Sequence, residues 1–476
     1  MLFRSGGTYD DNGKPWFQYH QMSVAKITAA KPIVYPEIGT HAHFVVPARG
    51  WLFTQTAPMV LLDEAGSAFV VAGLLNSSCA LIWLKSKCFK KREAEDAVSD
   101  TYFEFAGKKI AGLPIPAVIG DALRGKSNAL AEALSSLACE CWERGSELPS
   151  LSLRKLFTKP NEAYHDWNAA LPGYVKPSNK LGAPFSSTKD LEKNFLCAQE
   201  IRKKLLCEMV ARQEEMDWLV YVAYGLIAET DSAVGPLTED VDLALDRERR
   251  PLRLWAQSDC DFEKAAALIP SSWPVNKKKL WRARLEAIRD NEHIRRIEQP
   301  VYKRRWDEQW KVGSRWEYGP AAYAQECVDA FTWWLSEKTE WYLEHKADGG
   351  PIEFAKWSAA LFKDARIAAA WPVIANAIYE VEKYKFDALD EEKKETRRKP
   401  NADDSYTAFE RFFRELVLDQ SVAHGIPPAK PWNKLAEKKK WTSAQLKKAQ
   451  AVRGKLNVPR ERFQQISATK FVWSGK

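Results

Sequence analysis

Residues 68–87 read AFVVAGLLNSSCALIWLKSK, and the reading of this stretch decides the fold. Leu74, Leu75, Leu81, Ile82 and Leu84 supply apolar helix faces, and Ser67 is placed to cap a helix running from Ala68 to about Lys87. Asn76, Ser77 and Ser78 interrupt the apolar run, so the segment is a core helix and not a membrane span. Upstream, β-branched or aromatic runs at Pro32–Tyr35, His43–Val46, Trp51–Thr54 and Met59–Leu62 are punctuated by Gly39, Pro47, Gly50 and Pro58. That is strand-and-turn chemistry. Downstream, Tyr102–Phe105 predicts another strand, and Gly112-Leu113-Pro114-Ile115-Pro116 closes the segment. Residues 1–118 therefore form a mixed α/β module.

The rest of the chain is helix-rich, giving an α+β class: a small mixed module followed by predominantly α-helical domains. Residues 119–230 read as a helical spacer with a long Pro/Gly-rich connection at 145–188. A helix is expected from Thr188 to about Arg212 and a second from Gln213 to Ile227. Residues 231–400 read as a helical, Trp-rich domain, with helices expected at Trp281–Arg296, Tyr323–His345, Ile352–Phe362 and Arg366–Lys385. Residues 401–476 combine a helical segment with a strongly basic tail. A length of 476 residues agrees with about three domains at roughly 150 residues each.

The net charge of +8 is unevenly spread. Residues 430–476 hold 13 Lys/Arg and two acids, a net +11, which leaves −3 for residues 1–429. Eight cysteines with no C-x-x-C pair indicate neither a zinc site nor a disulfide framework. Arg4 is followed by Ser5-Gly6-Gly7-Thr8 and not by an apolar core, so no signal peptide is read and a cytoplasmic location is expected.

Familiar catalytic signatures are absent from the sequence. There is no Walker loop, G-x-S-x-G elbow, H-E-x-x-H or G-x-G-x-x-G. Methylation of an exocyclic amine uses an Asn/Asp-Pro-Pro-aromatic tetrapeptide, whose aromatic stacks on a flipped base. The one Pro-Pro, Pro427-Pro428, is flanked by Ile426 and Ala429 and meets neither requirement. Glu214-Glu215 and Asp10-Asp11 are paired carboxylates that sequence alone does not place in a cleft.

Five blocks, in order, carry a resemblance. They are Trp16-Phe17-Gln18-Tyr19-His20-Gln21; Ile38-Gly39-Thr40-His41-Ala42-His43-Phe44-Val45 with Thr56-Ala57-Pro58-Met59-Val60; Leu74-Leu75-Asn76-Ser77-Ser78; Tyr102–Ile110 with Leu113-Pro114-Ile115-Pro116; and Gln213–Tyr221 with Tyr224-Gly225-Leu226. Together with the Arg-rich piece Ile297–Trp306, they resemble the non-catalytic portion of large bacterial adenine-specific DNA methyltransferases of BREX-like phage-defence and fused restriction-modification systems. The resemblance covers about residues 1–350 and leaves the tail unassigned. It implies a target-recognition region whose catalytic half would lie upstream of Met1, in another chain or lost. It also implies that S-adenosylmethionine binds only in that half, so no cofactor is expected in this chain.

For DNA, Lys/Arg contacts to phosphate position a protein and base-edge contacts specify sequence. Gln21 can read adenine bidentately, and His20 lies beside it. His41 and His43 alternate onto one strand face, with Thr40 on the other. Three readings of this pair stand: hydrogen-bonded structural residues, contacts to bases or phosphates, or metal ligands, the last needing a third ligand that no nearby spacing offers. Lys85, Lys87, Lys90, Lys91 and Arg92 form a basic run that either contacts phosphate or solvates a helix end. The same choice applies to residues 271–320, net +6, with Arg284, Lys303, Arg304 and Arg305 among them. Lys438, Lys439 and Lys440 are the densest charge in a tail that repels itself unless an anion is near. Trp333-Trp334, Trp341 and Trp357 lie at helix spacing and read as packing.

The expected function is DNA target recognition for adenine methylation in a defence or restriction-modification system. Expected partners are double-stranded DNA and a catalytic methyltransferase chain or other defence proteins, with no membrane. The alternatives are a non-enzymatic DNA-binding specificity or adaptor subunit, and a purely structural helical scaffold.

Overall fold

The computed structural model describes residues 32–41, 43–47, 57–62, 68–92, 102–126, 128–157, 185, 187–234, 249–299, 302–303, 320–346, 350–422, 442 and 462–473. The architecture is mostly helical α+β with small, chiefly antiparallel sheets. The described residues fall into two compact units. One comprises those up to Leu148 and from Lys203 to Lys303; the other comprises 149–157, 185–202 and those from 320 onward.

In the first unit, strands β1 (Ile33–Val34), β2 (Ile38–Gly39) and β3 (Met59–Val60) precede helices α1 (Ala68–Leu75) and α2 (Ser78–Lys87). The single helix expected over 68–87 is two, bent by 65° at Asn76-Ser77. At the bend Ser77 leaves helical geometry and its hydroxyl accepts the Ala80 N–H, capping α2. Asn76 is held by tertiary bonds, accepting from Phe44 N at 3.1 Å and donating to Phe44 O at 2.7 Å. Strands β4 (Phe89–Arg92) and β5 (Tyr102–Glu104) follow, and β2, β5 and β4 make a three-stranded antiparallel sheet. Its inner side, with Phe103 and Phe105, packs on Ala72, Leu75 and Leu84 of the two helices.

Helices α3 (Gly107–Ile110), α4 (Ala117–Leu123) and α5 (Ala129–Glu147) come next. Asn128 caps α5, which buries Leu130, Leu134 and Leu137 against α1. Helix α6 (Thr188–Ala223) is continuous where two helices were expected, because residues 212–213 carry neither a breaker nor a cap. Its C-terminal part buries Met216, Trp218, Leu219 and Val220. Around it pack α7 (Pro251–Gln257), α8 (Phe262–Ala267), α9 (Val275–Asp290) and α10 (Glu292–Ile297). Asn291 breaks the helix expected over 281–296, since its side chain accepts from His293 N and Ile294 N.

The second unit is organised by aromatic packing. Helix α11 (Pro320–Lys346) lies along α13 (Ala365–Asp387), with β6 (Ile352–Glu353) and α12 (Phe354–Phe362) between them in sequence. The charge-dense stretch after residue 389 includes a short helix, α14 (Glu391–Thr396), capped by Asp390. Ser405 caps α15 (Tyr406–Asp419), whose buried Phe409, Phe413, Leu416 and Val417 follow helical spacing. The tail contributes β8 (Phe463–Gln465) and β9 (Lys470–Trp473), which join β6 and β7 (Ser421–Val422) in the order β6-β9-β8-β7. Phe463 and Phe471 are fully buried beside Trp357. Trp334 and Trp357 are core residues, whereas Trp341 is half exposed and stacks on His345 at 4.9 Å. Among the described residues no single helix is long and apolar enough to cross a membrane.

Candidate nucleic-acid interface

The outward face of the β2-β5-β4 sheet is set by register. Glu104 lies opposite both Ile38 and Phe89, and Tyr102 lies opposite Arg92. Because side chains alternate, burying Phe103 turns Tyr102 and Glu104 outward together with Ile38 and Phe89. Phe89 is 67% exposed, Ile38 50% and Tyr102 44%. Between Lys90 and Arg92 the ladder slips by one residue. Such a bulge leaves its extra residue outside the pairing and re-aims it. Lys91 is that residue, and its Nζ reaches Glu104 at 2.7 Å. That hydrogen bond holds the Lys91 pKa above the usual lysine value. Lys109 from α3 lies 5.6 Å from the centre of the Phe89 ring. Charged side chains along an edge strand also oppose pairing with a foreign strand.

Several residues expected at the site meet on or beside this sheet. Thr40 and His41 directly follow β2; their side chains hydrogen-bond at 3.0 Å, and the His41 and His43 rings meet edge-on at 4.2 Å. Lys85 and Lys87 end α2 immediately before β4, which carries Lys90, Lys91 and Arg92. Phe89, Tyr102 and Lys109 join them, although sequence reasoning did not select them; the signal was an aromatic directly before three cations, Phe89-Lys90-Lys91-Arg92. His20, Gln21, Arg304, Arg305, Lys438, Lys439 and Lys440 lie outside the described residues, as does the side chain of Arg92.

Lys303 belongs elsewhere, and the phosphate role expected of it is corrected. It is 1% exposed, and its Nζ sits 2.6 Å from Asp217 and 2.8 Å from Glu298. Burial alone would lower its pKa, but the two carboxylates outweigh that cost and hold it above the ordinary lysine value. Arg284 is corrected for the same reason: it is fully buried, binds Glu215 through two nitrogens at 2.8 and 2.5 Å and reaches Glu214 at 3.4 Å. Arg250 closes the cluster on Glu214 at 2.9 Å. The pair Glu214-Glu215 is thus a structural anion pair, and these carboxylates are bound to cations in the interior.

This cluster ties the sheet module to α6. Asp217 accepts the Ser78 N–H and Ser78 hydroxyl, both at 2.7 Å, at the start of α2. Gln213 donates to Asn76 O at 3.1 Å. Tyr221 donates to Glu298 at 2.6 Å, and burial, then the nearby carboxylates, push its pKa well up. Tyr224, whose hydroxyl donates to Pro114 O, is pushed up to about 12 chiefly by burial. The Asn76-Ser77-Ser78 interruption is therefore the joint of the module. An open depression of about 660 Å³ at the ends of α9 and α10 is lined by Asp231, Glu286, Asp290 and Glu292, the wrong sign for phosphate. Among the described residues no three His, Cys, Asp or Glu side chains are grouped to hold a metal ion.

A family described as a domain of unknown function (DUF7008) matches residues 209–471, more than half of the sequence. The chain belongs to this family. The matched range includes the buried cluster from Glu214 to Lys303 and runs through β8 into β9, so the expectation of an unassigned tail is corrected. The chain is also similar to the adenine-specific methyltransferase PglX of Streptomyces coelicolor, at 26% identity over 510 residues. That match covers 99% of this chain and 38% of the relative, so the chain spans well under half the length of the curated relative it matches. No solved structure matches it.

Proposed function

We propose that this chain supplies the DNA-reading and clamping part of a system that methylates adenine from S-adenosylmethionine, in a phage-defence or restriction-modification setting. The observation that carries the reading is similarity along 99% of the chain to a protein named as an adenine-specific methyltransferase. The exposed sheet face with its lysines supports it, because phosphate neutralisation by Lys/Arg supplies most sequence-independent affinity for DNA. Lys85, Lys87, Lys90, Lys91 and Arg92 contact phosphate, and the Lys438–Lys440 cluster clamps the duplex. The loop at Thr40, His41 and His43, with His20 and Gln21, reads bases.

Methyl transfer is assigned to residues beyond these 476, since the sequence has no Asn/Asp-Pro-Pro-aromatic tetrapeptide or cofactor glycine turn. That same feature favours one second reading, a non-enzymatic DNA-binding adaptor. A methylation assay with labelled cofactor tests the choice, run on the chain alone and with the product of its neighbouring gene. Label transferred to adenine only with the neighbour supports the proposal. Label transferred by the chain alone overturns the assignment of chemistry elsewhere, and no transfer with duplex binding intact leaves the adaptor.

A further inference from the structure

We propose that the outward face of the β2-β5-β4 sheet is a stacking platform for one unpaired nucleotide, with Phe89 as the ring on which its base lies. The inference rests on the reading that this module binds DNA and goes beyond it by naming a nucleotide state and the residue that holds it. Phe89 is 67% exposed, the most exposed large hydrophobic side chain among the described residues. Burying little apolar surface, it contributes little to the fold, and its neighbours leave most of it uncovered. Tyr102 and Ile38, the other outward apolar side chains, add apolar surface to the face that they share with Glu104.

The surroundings select a nucleotide over a protein side chain. Lys90 and Lys91 lie on β4, Lys87 ends α2 just before it, and Lys108 and Lys109 lie on α3, against Glu104, which is itself paired with Lys91. Counting also the acidic residues that follow β4 in sequence, residues 85–109 carry a net +2. An exposed apolar ring with one ammonium 5.6 Å from its centre and further lysines on its own strand matches a base with a phosphate beside it. A paired base cannot present its face, because the duplex stack occupies it; an unpaired one can, and base–aromatic stacking tolerates any base. The Lys109 ammonium, 5.6 Å from the ring centre, is placed to meet the adjoining phosphate, and most of the Phe89 side chain is exposed.

The test uses the full chain and two probes, a short fully paired duplex and the same duplex with a single unpaired 2-aminopurine. Binding is followed by anisotropy and stacking by quenching of the 2-aminopurine fluorescence. The unpaired probe should bind about tenfold tighter, within the span of one base–aromatic stack, with quenching on binding. Phe89→Ala should remove both the preference and the quenching while leaving affinity for the paired duplex unchanged; Phe89→Trp should keep both. Phe89 is exposed, so both variants should melt as the parent does. If the paired duplex binds but the two probes are equivalent, or Phe89→Ala changes nothing, the platform is refuted while DNA binding stands, and the face belongs to a protein partner. If neither probe binds, the functional reading fails with it.

Discussion

The Lys303 ammonium is held in the interior by Asp217, Glu298 and the Tyr221 hydroxyl. A buried charge stripped of its partner costs far more than the pair contributes net, roughly 3–5 kcal/mol. Lys303→Met, which leaves Asp217 and Glu298 without their cation, should lower unfolding free energy by about that amount in a denaturant titration. The pH dependence follows from the direction of the shift. The folded-state pKa of Lys303 lies above the unfolded value of about 10.4, so its stabilisation is complete below that pH and is lost as pH rises through the folded value. Tyr221, also raised, acts in the same sense. Melting temperature should therefore fall steeply above about pH 10, and Lys303→Met should flatten part of that fall; an identical alkaline limb in the variant would contradict a charged Lys303. On the surface, replacing His41 or Gln21 should change the selected target sequences more than non-specific affinity. Unchanged target sites in both variants would make these residues structural.

At the scale of elements, α1 approaches α5 closely only because Gly73 has no side chain. A Cβ there would meet Leu134 Cγ at 2.9 Å, and Leu134 is fully buried. Gly73→Val should cost about 1–3 kcal/mol by overpacking, read as a lowered denaturation midpoint; a neutral result would mean that α1 and α5 separate readily. The same region shows what could be read in the sequence. Apolar spacing predicted helix between Ala68 and Lys87, but the 65° bend depends on Asn76 bonding Phe44, 32 residues away, and on Ser78 bonding Asp217, 139 residues away. No local pattern carries those partners. In α6 two helices were expected to meet near residue 212, yet no breaker or cap lies there, and the one helix runs on to bury Met216 to Tyr221. The cations of β4 were legible because a basic run needs no partner to be seen. Lys303 and Arg284 misled for the opposite reason: their carboxylates come from α6 and, for Lys303, also from Glu298 just after α10, and composition counts every cation alike.

For the whole molecule, the mixed module followed by helical units is the class that the sequence predicted, and the basic tail proved more than a charged appendage. Its end supplies β8 and β9, which bury Phe463 and Phe471, and Arg462 pairs with Glu337 and Glu340 of α11. Changing Lys438, Lys439 and Lys440 to Ala should weaken binding to all sequences alike and reduce the salt slope by about 0.9 for each phosphate no longer neutralised. An unchanged slope would mean that the tail does not touch DNA. The most direct test of DNA recognition is the affinity of the full chain for a random-sequence duplex as salt is raised from low to moderate concentration. Clamping by several lysines predicts a linear fall of log affinity with log salt, with a slope of about −0.9 per neutralised phosphate. Affinity that stays flat across that range would contradict it.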